Sequence, residues 1–243
     1  PNGVDHEDVR MSKRGEGNLS DTRLIDGMVL EAGLTLDRLP RRLDGGTVLA
    51  LTCPLEQEEA SRDTEIEIEG TDQWMAFIEA KEAILKKKTD AVLATGANVV
   101  LSAEGIEPSI FHALTDAGCF VLGGIERSGI EDLAKASGAT MCDHLDDADA
   151  SVLGSFSSLE IETGEGLDGR KERICLRFGP GAGLVTLDVG GGDGVAVEEV
   201  IRGLYDAVRS TSLAIGNRSI VRGGGSFQMG ASLVVKEAAE GQA

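Results

Sequence analysis

The chain has 243 residues, 41% of them apolar, and 23 Lys and Arg against 42 Asp and Glu give it a formal net charge of −19. The apolar content supplies a packed core and excludes a disordered chain, while the charge excludes general binding to nucleic acid or an anionic membrane. Aromatics at 3% leave no platform for base stacking, no apolar run is long enough to span a membrane, and PNGVDHEDVRMSKRGEG lacks the apolar stretch of a signal peptide.

Residues 1–23 are polar and Gly/Ser-rich, and LIDGMVLEAG (24–33) reads as a strand. A second apolar strand, TVLALT (47–52), ends at Cys53-Pro54 and runs into a charged loop, 55–64. Residues 65–69 alternate Glu and Ile, the period of a half-exposed strand. A long helix follows, with Thr71 or Asp72 as its N-cap and Gly96 as its C′ glycine. Its acidic, basic and apolar segments make no single stripe, which predicts an arm that overshoots the core at one end.

From residue 98 the pattern alternates. Strands at 98–102, 119–122 and 139–142 are separated by helices at 107–117, with Pro108 in the first turn, and at 128–137. This βαβαβ rhythm predicts a small parallel sheet flanked by helices, so the fold class is α/β. Three strands of antiparallel character follow at 152–162, 171–178 and 182–188, the last two joined by Gly179-Pro180-Gly181. A helix over 195–215, a short extended piece at 220–221, a glycine turn at 223–225 and a helix over 226–239 complete the chain, and composition shifts near 190.

The acid excess is spread along the chain rather than gathered in a tail; it fits a halophilic surface suited to a salty cytoplasm, or ordinary acidic solubility. Cys119, Cys142 and Cys175 lie in apolar stretches and read as buried small hydrophobes of a reducing cytosol. The three His do not cluster with them, so no zinc site is expected. Asp143-His144 and Asp146, Asp147 and Asp149 read as a solvated acidic loop, without the spacing of a calcium loop. LDVGGGDG (187–194) has the form of a methyltransferase glycine motif for an adenosyl cofactor, but such a motif opens several further βα units, and only about fifty mostly helical residues remain. RGGGS (222–226) lacks the lysine of a P-loop. Asp206, alone on a helix, reads as a solvated residue unless a water and a phosphate are brought to it.

Together, CPLE (53–56), GANVV (96–100), the helix after Gly105-Ile106, AGCFVLGGIERSGIEDLAKASGA (117–139) and the closing glycine turn resemble the group II chaperonins, the archaeal thermosome and its eukaryotic relatives. The match keeps nearly constant spacing from 24 to 225. The resemblance implies an apical, client-binding domain over 27–190, a swivelling β/α/β unit with a helical protrusion at about 65–95. Residues 1–26 and 191–243 would then be segments of a small α+β intermediate domain. It implies a cytoplasmic partner of non-native polypeptides and of other chaperonin subunits. Trp74, Met75, Phe77 and Ile78 on the protrusion, and Phe111, Leu114, Ile130 and Leu133 on the helix pair, would be client-binding. Asp206, seventeen residues before Gly223, would be the water-activating base in a full-length parent, with Gly223, Gly224 and Gly225 close to the nucleotide. ATP and magnesium are cofactors of that family, but its GDGTT phosphate loop does not occur in this chain, so no cofactor is expected here. The chain also departs from the family in carrying Arg222 before the turn and GGIERSG where a basic pair is usual. The alternative functions are an adenosyl-cofactor methyltransferase using LDVGGGDG, or a structural adaptor with the same fold but no client binding.

Overall fold

The computed structural model describes residues 6–32, 39–56, 70–166, 169–192 and 194–241. The alternating stretch 65–69 and most of the charged loop expected before it lie outside these residues. The strands, in chain order, are β1 (Val9–Gly15), β2 (Arg23–Ile25), β3 (Gly27–Ala32), β4 (Arg42–Leu43), β5 (Gly46–Leu51), β6 (Val99–Ser102), β7 (Phe120–Leu122), β8 (Gly154–Phe156), β9 (Ser158–Gly166), β10 (Gly169–Arg177) and β11 (Val185–Gly192). The helices are α1 (Thr71–Ala94), α2 (Pro108–Asp116), α3 (Arg127–Ser137), α4 (Val195–Asn217) and α5 (Ser226–Glu240).

The strands form three sheets. The central one has the order β7-β6-β5-β8, with β5, β6 and β7 parallel and β8 antiparallel at its edge. Its parallel strands are apolar on both faces. Val48, Ala50, Val99, Leu101 and Phe120 point to one cluster, and Leu49, Leu51, Val100 and Val121 to another. Such strands read as continuous apolar runs because both faces must be covered. α1 and α2 cover one face through Leu85, Val92, Ile110 and Leu114. The other is covered by Ile130, Leu133 and Ala136 of α3, and by Met28, Leu30, Leu159, Ile161, Ile174 and Leu176 of the second sheet. The expected strand at 139–142 is reduced to one bridge: Cys142 pairs with Leu51 on the edge of β5 that β8 occupies further back, at Gly46–Val48.

The second sheet, β3-β10-β9-β4, is antiparallel throughout, and the third has the order β1-β11-β2. Two segments expected to be single strands are therefore each divided between sheets. The 24–33 segment breaks at Asp26, leaving β2 in the third sheet and β3 in the second. The 152–162 segment breaks at Ser157, whose backbone N–H donates to the Arg177 carbonyl at 2.8 Å. Gly27 makes the first switch possible: it has φ +146°, and a Cβ there would lie 2.1 Å from the Leu176 carbonyl oxygen. The strand joined to β10 through Gly179–Gly181 does not pair with it. β11 instead runs parallel to β1 and antiparallel to β2, so residue 190, where composition shifts, falls inside a strand. β1 itself, VRMSKRG, carries no apolar alternation and is held by β11.

The second and third sheets meet through a few apolar residues, Ile25, Val29 and Cys175, and a cluster of charges. Arg173 on β10 grips the Asp188 carboxylate on β11 with both terminal nitrogens and donates to Ser12 Oγ at 2.7 Å. Arg23 on β2 donates to Asp188 at 3.0 Å and also pairs with Glu162 on β9. Asp188 is fully buried, and the Arg173 side chain is 5% exposed. Arg173 Nε is the one buried side-chain polar atom left without a hydrogen bond among the described residues. Burial alone raises the pKa of Asp188, but the hydrogen bonds and charge of Arg173, then of Arg23, overcome it and hold the carboxyl below its ordinary range. Glu162 follows the same balance, with burial opposed by Arg23 first and then Arg173 and Arg14.

Depressed carboxyl pKa values stabilise the fold above the unfolded-state pKa, and that stability is lost as pH falls through the folded value. Asp188→Asn should lower stability at pH 7 by about 3 kcal/mol, the cost of leaving one buried charge unpaired. It should also flatten the acid limb, since the group no longer titrates. Urea unfolding midpoints measured from neutral to acid pH check both, and parallel wild-type and variant curves refute the assignment.

Candidate functional site

α1 is two helices in character within one continuous rod. In its second half Leu85, Thr89 and Val92, spaced i, i+4, i+7, are buried. In its first half residues 71–80 are all exposed, so the arm overshoots the core at its N-terminal end. Trp74, Met75, Phe77 and Ile78 are 51%, 55%, 37% and 36% exposed, and the Trp74 and Phe77 rings stack with centroids 6.2 Å apart. The helix opens at Gly70 without a side-chain cap, so Thr71 and Asp72 are its first helical residues rather than its cap. It closes as expected, with Gly96 following the C-cap Thr95 in the left-handed region. Lys88 anchors its base, donating from Nζ to the carbonyls of Pro54 (3.2 Å) and Glu56 (2.6 Å). Ile84, Lys87, Lys88 and Ala91 face Cys53, Pro54 and Asp143–Asp146 across a groove of about 540 Å³.

The helix pair behaves differently. Leu114, Ile130 and Leu133 are completely buried against the central sheet, and Phe111 is half-buried with its ring edge-on to His112. The first three are core side chains, which corrects their reading as client contacts: the stripe that periodicity marks on each helix is the one the sheet consumes. Outward, α2 presents Ser109, His112 and Asp116, and α3 presents Arg127, Ser128, Glu131 and Lys135.

LDVGGGDG also resolves into packing. β11 is the centre of a three-stranded sheet, Asp188 is occupied by two arginines, and a Cβ at Gly190 would lie 2.4 Å from the Asn18 carbonyl oxygen. The string joins a strand to a helix, and only helices follow it, so the adenosyl-cofactor reading is withdrawn. β1 and the Arg23–Glu162–Arg173–Asp188 cluster are what the sequence reading missed. The signal was a run of alternating charges in strand segments, with no period to separate buried from solvated ones.

α4 is held at its start by buried Val197, by Lys13–Glu198 at 3.5 Å, and by His6 edge-on to Tyr205. Beyond this point it is largely exposed; Asp206 is exposed, four residues from Arg202. Gly223–Gly225 form a turn leading into α5, every described residue of which is exposed, Phe227, Met229, Leu233, Val234 and Val235 included. Among the described residues no group of three or more His, Cys, Asp or Glu is placed to hold a metal ion. One exposed carboxylate and an exposed glycine turn do not make a site for a nucleotide and magnesium, so no step through ATP follows from these residues. The four cysteines are free thiols, three of them buried; burial pushes the pKa of Cys175 up to about 11 and raises those of the other three. No helix among the described residues is long and apolar enough to cross a membrane.

A doubly covered parallel sheet with a projecting helix, joined to a small sheet and two long helices, is the architecture of a chaperonin segment, and the TCP-1/cpn60 chaperonin family profile matches residues 2–243. The chain belongs to that family. Its relatives are of the group II, thermosome, branch. It is 32% identical over 234 residues to thermosome subunit beta of Archaeoglobus fulgidus, and 33% identical over 234 residues to thermosome subunit beta of Aeropyrum pernix. Each match covers 96% of this chain and 42% of the relative. The open-state monomer of a group II chaperonin from Methanococcoides burtonii superposes with a TM-score of 0.69 at 23% identity, over 96% of this chain and 51% of that one. The chain thus spans less than half the length of the curated relatives it matches.

Leu133→Ala should cost about 2–5 kcal/mol as a core cavity, whereas Ser128→Ala on the outer face of α3 should change stability by less than about 0.5 kcal/mol; chemical denaturation distinguishes them. Phosphate release by the 243-residue chain in the presence of ATP and magnesium should not exceed that of Asp206→Asn. A turnover that Asp206→Asn abolishes would show that the chain completes a nucleotide site.

Proposed function

We propose that this chain is the client-binding portion of a group II chaperonin subunit, acting in the cytoplasm, and that it holds non-native polypeptide on the free half of α1. The observation that carries this is the solvent-exposed apolar surface of Trp74, Met75, Phe77 and Ile78 on a helix whose other half is anchored in the core. Exposed apolar area of this kind on an acidic protein marks an interaction site rather than chance exposure. The outer faces of α2 and α3 are polar and take no part. Phe111, half-buried, adds at most a margin.

The apical unit expected over 27–190 is read here as 27–184, a reading supported by the chain entering the second sheet at Gly27, leaving it at Arg177 and joining the third sheet from Val185. β11 then belongs with β1, β2, α4 and α5 in the intermediate unit, a few residues earlier than the shift in composition suggests. In a ring of chaperonin subunits the exposed apolar residues of α5 would meet protein rather than water. Asp206 and Gly223–Gly225 would lie on the nucleotide side, with the phosphate contacts supplied by residues other than those of this chain.

Suppression of aggregation of a chemically unfolded test protein is the direct assay. The wild-type chain should slow aggregation, with or without ATP. Trp74→Ser combined with Phe77→Ser should reduce the effect several-fold while leaving the melting temperature unchanged, since neither side chain is buried. No suppression by the wild type at low or high salt would replace client binding with the structural-adaptor role.

A further inference from the structure

We propose that the β1-β11-β2 sheet is clasped to α3 by two crossed ion pairs, and that ionic strength opens this clasp about the buried Arg173–Asp188 cluster. Asp8 and Arg10, two residues apart on the N-terminal segment, meet Asp132 and Lys135, three apart on α3. They pair crosswise, Arg10 with Asp132 and Asp8 with Lys135. Asp8 closes a short 3-10 turn (His6–Asp8) and Arg10 is the second residue of β1, while residues three apart on a helix share a face, so the junction of turn and strand meets both partners on α3.

The contact the pairs span is a cleft, not a packed interface. A space of about 460 Å³ lies between β1, β3 and the start of α3, lined by Arg10, Lys13, Glu31, Gly124, Glu126 and Gly129 among others. The clasp side chains are between 27% and 57% exposed, whereas Asp188, two residues along β11 from the Thr186 that pairs with Arg10, and Arg173 on β10 of the second sheet are buried. Salt weakens exposed pairs and leaves buried ones nearly untouched. The two sets of contacts, neighbours along β1 and β11, therefore respond differently to one variable: the partly exposed pairs release first and the buried cluster stays. The chain itself crosses between this sheet and the rest only twice, at Asp26-Gly27 and through Gly179–Leu184, where Gly179, Gly181 and Gly183 leave the backbone free to turn. Covalent connection thus permits the rotation that the clasp opposes. This proposal does not rest on client binding and can fail or hold independently of it.

Nitroxide labels at Val195→Cys, in the first turn of α4, and Ser128→Cys, in the first turn of α3, report the separation in a Cys53→Ser background, because the other three cysteines are buried. Pulsed electron resonance would be recorded from about 0.01 M to about 1 M NaCl, across which the screening length falls from about 30 Å to about 3 Å. A short, narrow distance distribution at low salt should shift to longer, broader distances at high salt. Arg10→Ala with Lys135→Ala should give the long distribution at both. Arg10→Asp with Asp132→Arg, which reverses one pair, should restore the short one at low salt, whereas Arg10→Asp alone should not. Circular dichroism melts show that each variant is folded, and the reversed pair keeps the test decisive even where the single reversal unfolds. A wild-type distribution that salt does not move, or a double-alanine variant that keeps the short distance, overturns the proposal.

Discussion

The constraint on which the rest depends is that β5, β6 and β7 are buried on both faces. Parallel strands of this kind have no solvated side, so the chain must supply apolar cover twice. It does so with α1 and α2 on one face, and with α3 and the antiparallel sheet on the other. That demand uses the apolar stripes of α2 and α3 entirely and leaves both helices polar outside. What apolar surface remains exposed is therefore concentrated on elements that the central sheet does not need: the free half of α1, and α4 with α5. Chemistry available to a partner is, in this sense, what the core does not consume.

The junction with the third sheet follows another logic. It could have been a small apolar core, and Ile25, Val29 and Cys175 begin one. Instead Arg173, Asp188, Arg23 and Glu162 meet there, with the desolvation of each ion offset only because every carboxylate has an arginine. Apolar surfaces tolerate sliding, whereas a two-pronged arginine on a carboxylate does not. The arrangement fixes one orientation of the small sheet through its central strand and leaves the start of β1 to less deeply buried ion pairs with α3.

The stretch from 98 to 137 was legible because its periods are clean: short doubly apolar strands, then helices of i, i+3, i+4 spacing, closed by Gly118 and Gly138. The strand breaks at Asp26 and Ser157 were not, because apolar character continues through both and a change of sheet leaves no mark on a one-dimensional pattern. β1 escaped notice because VRMSKRG is polar; it is a strand on account of β11, a partner more than 170 residues away. Leu114, Ile130 and Leu133 were misread for a related reason: a helix has the same apolar face whether a sheet or a guest covers it. Asp188 was obscured by the glycines that follow it, which drew attention to a motif and away from the arginine one strand over. In α1, Trp74 and Ile78 stand eleven and seven residues before Leu85 and so on the same helix face; periodicity alone does not separate its exposed half from its buried half, which differ because the core ends near Leu85.

The anchoring of α1 has a mechanical consequence. Trp74 lies eleven residues before the first buried position, Leu85, which at about 1.5 Å per residue is a cantilever of roughly 16 Å. A rigid rod fixed at one end converts rotation into travel, so tilting the base by about ten degrees sweeps the tip through roughly 3 Å. The same leverage works in reverse. A sideways load at Trp74 is delivered as torque to Leu85, Thr89 and Val92, and so to the packing against α2, rather than being dissipated at the tip.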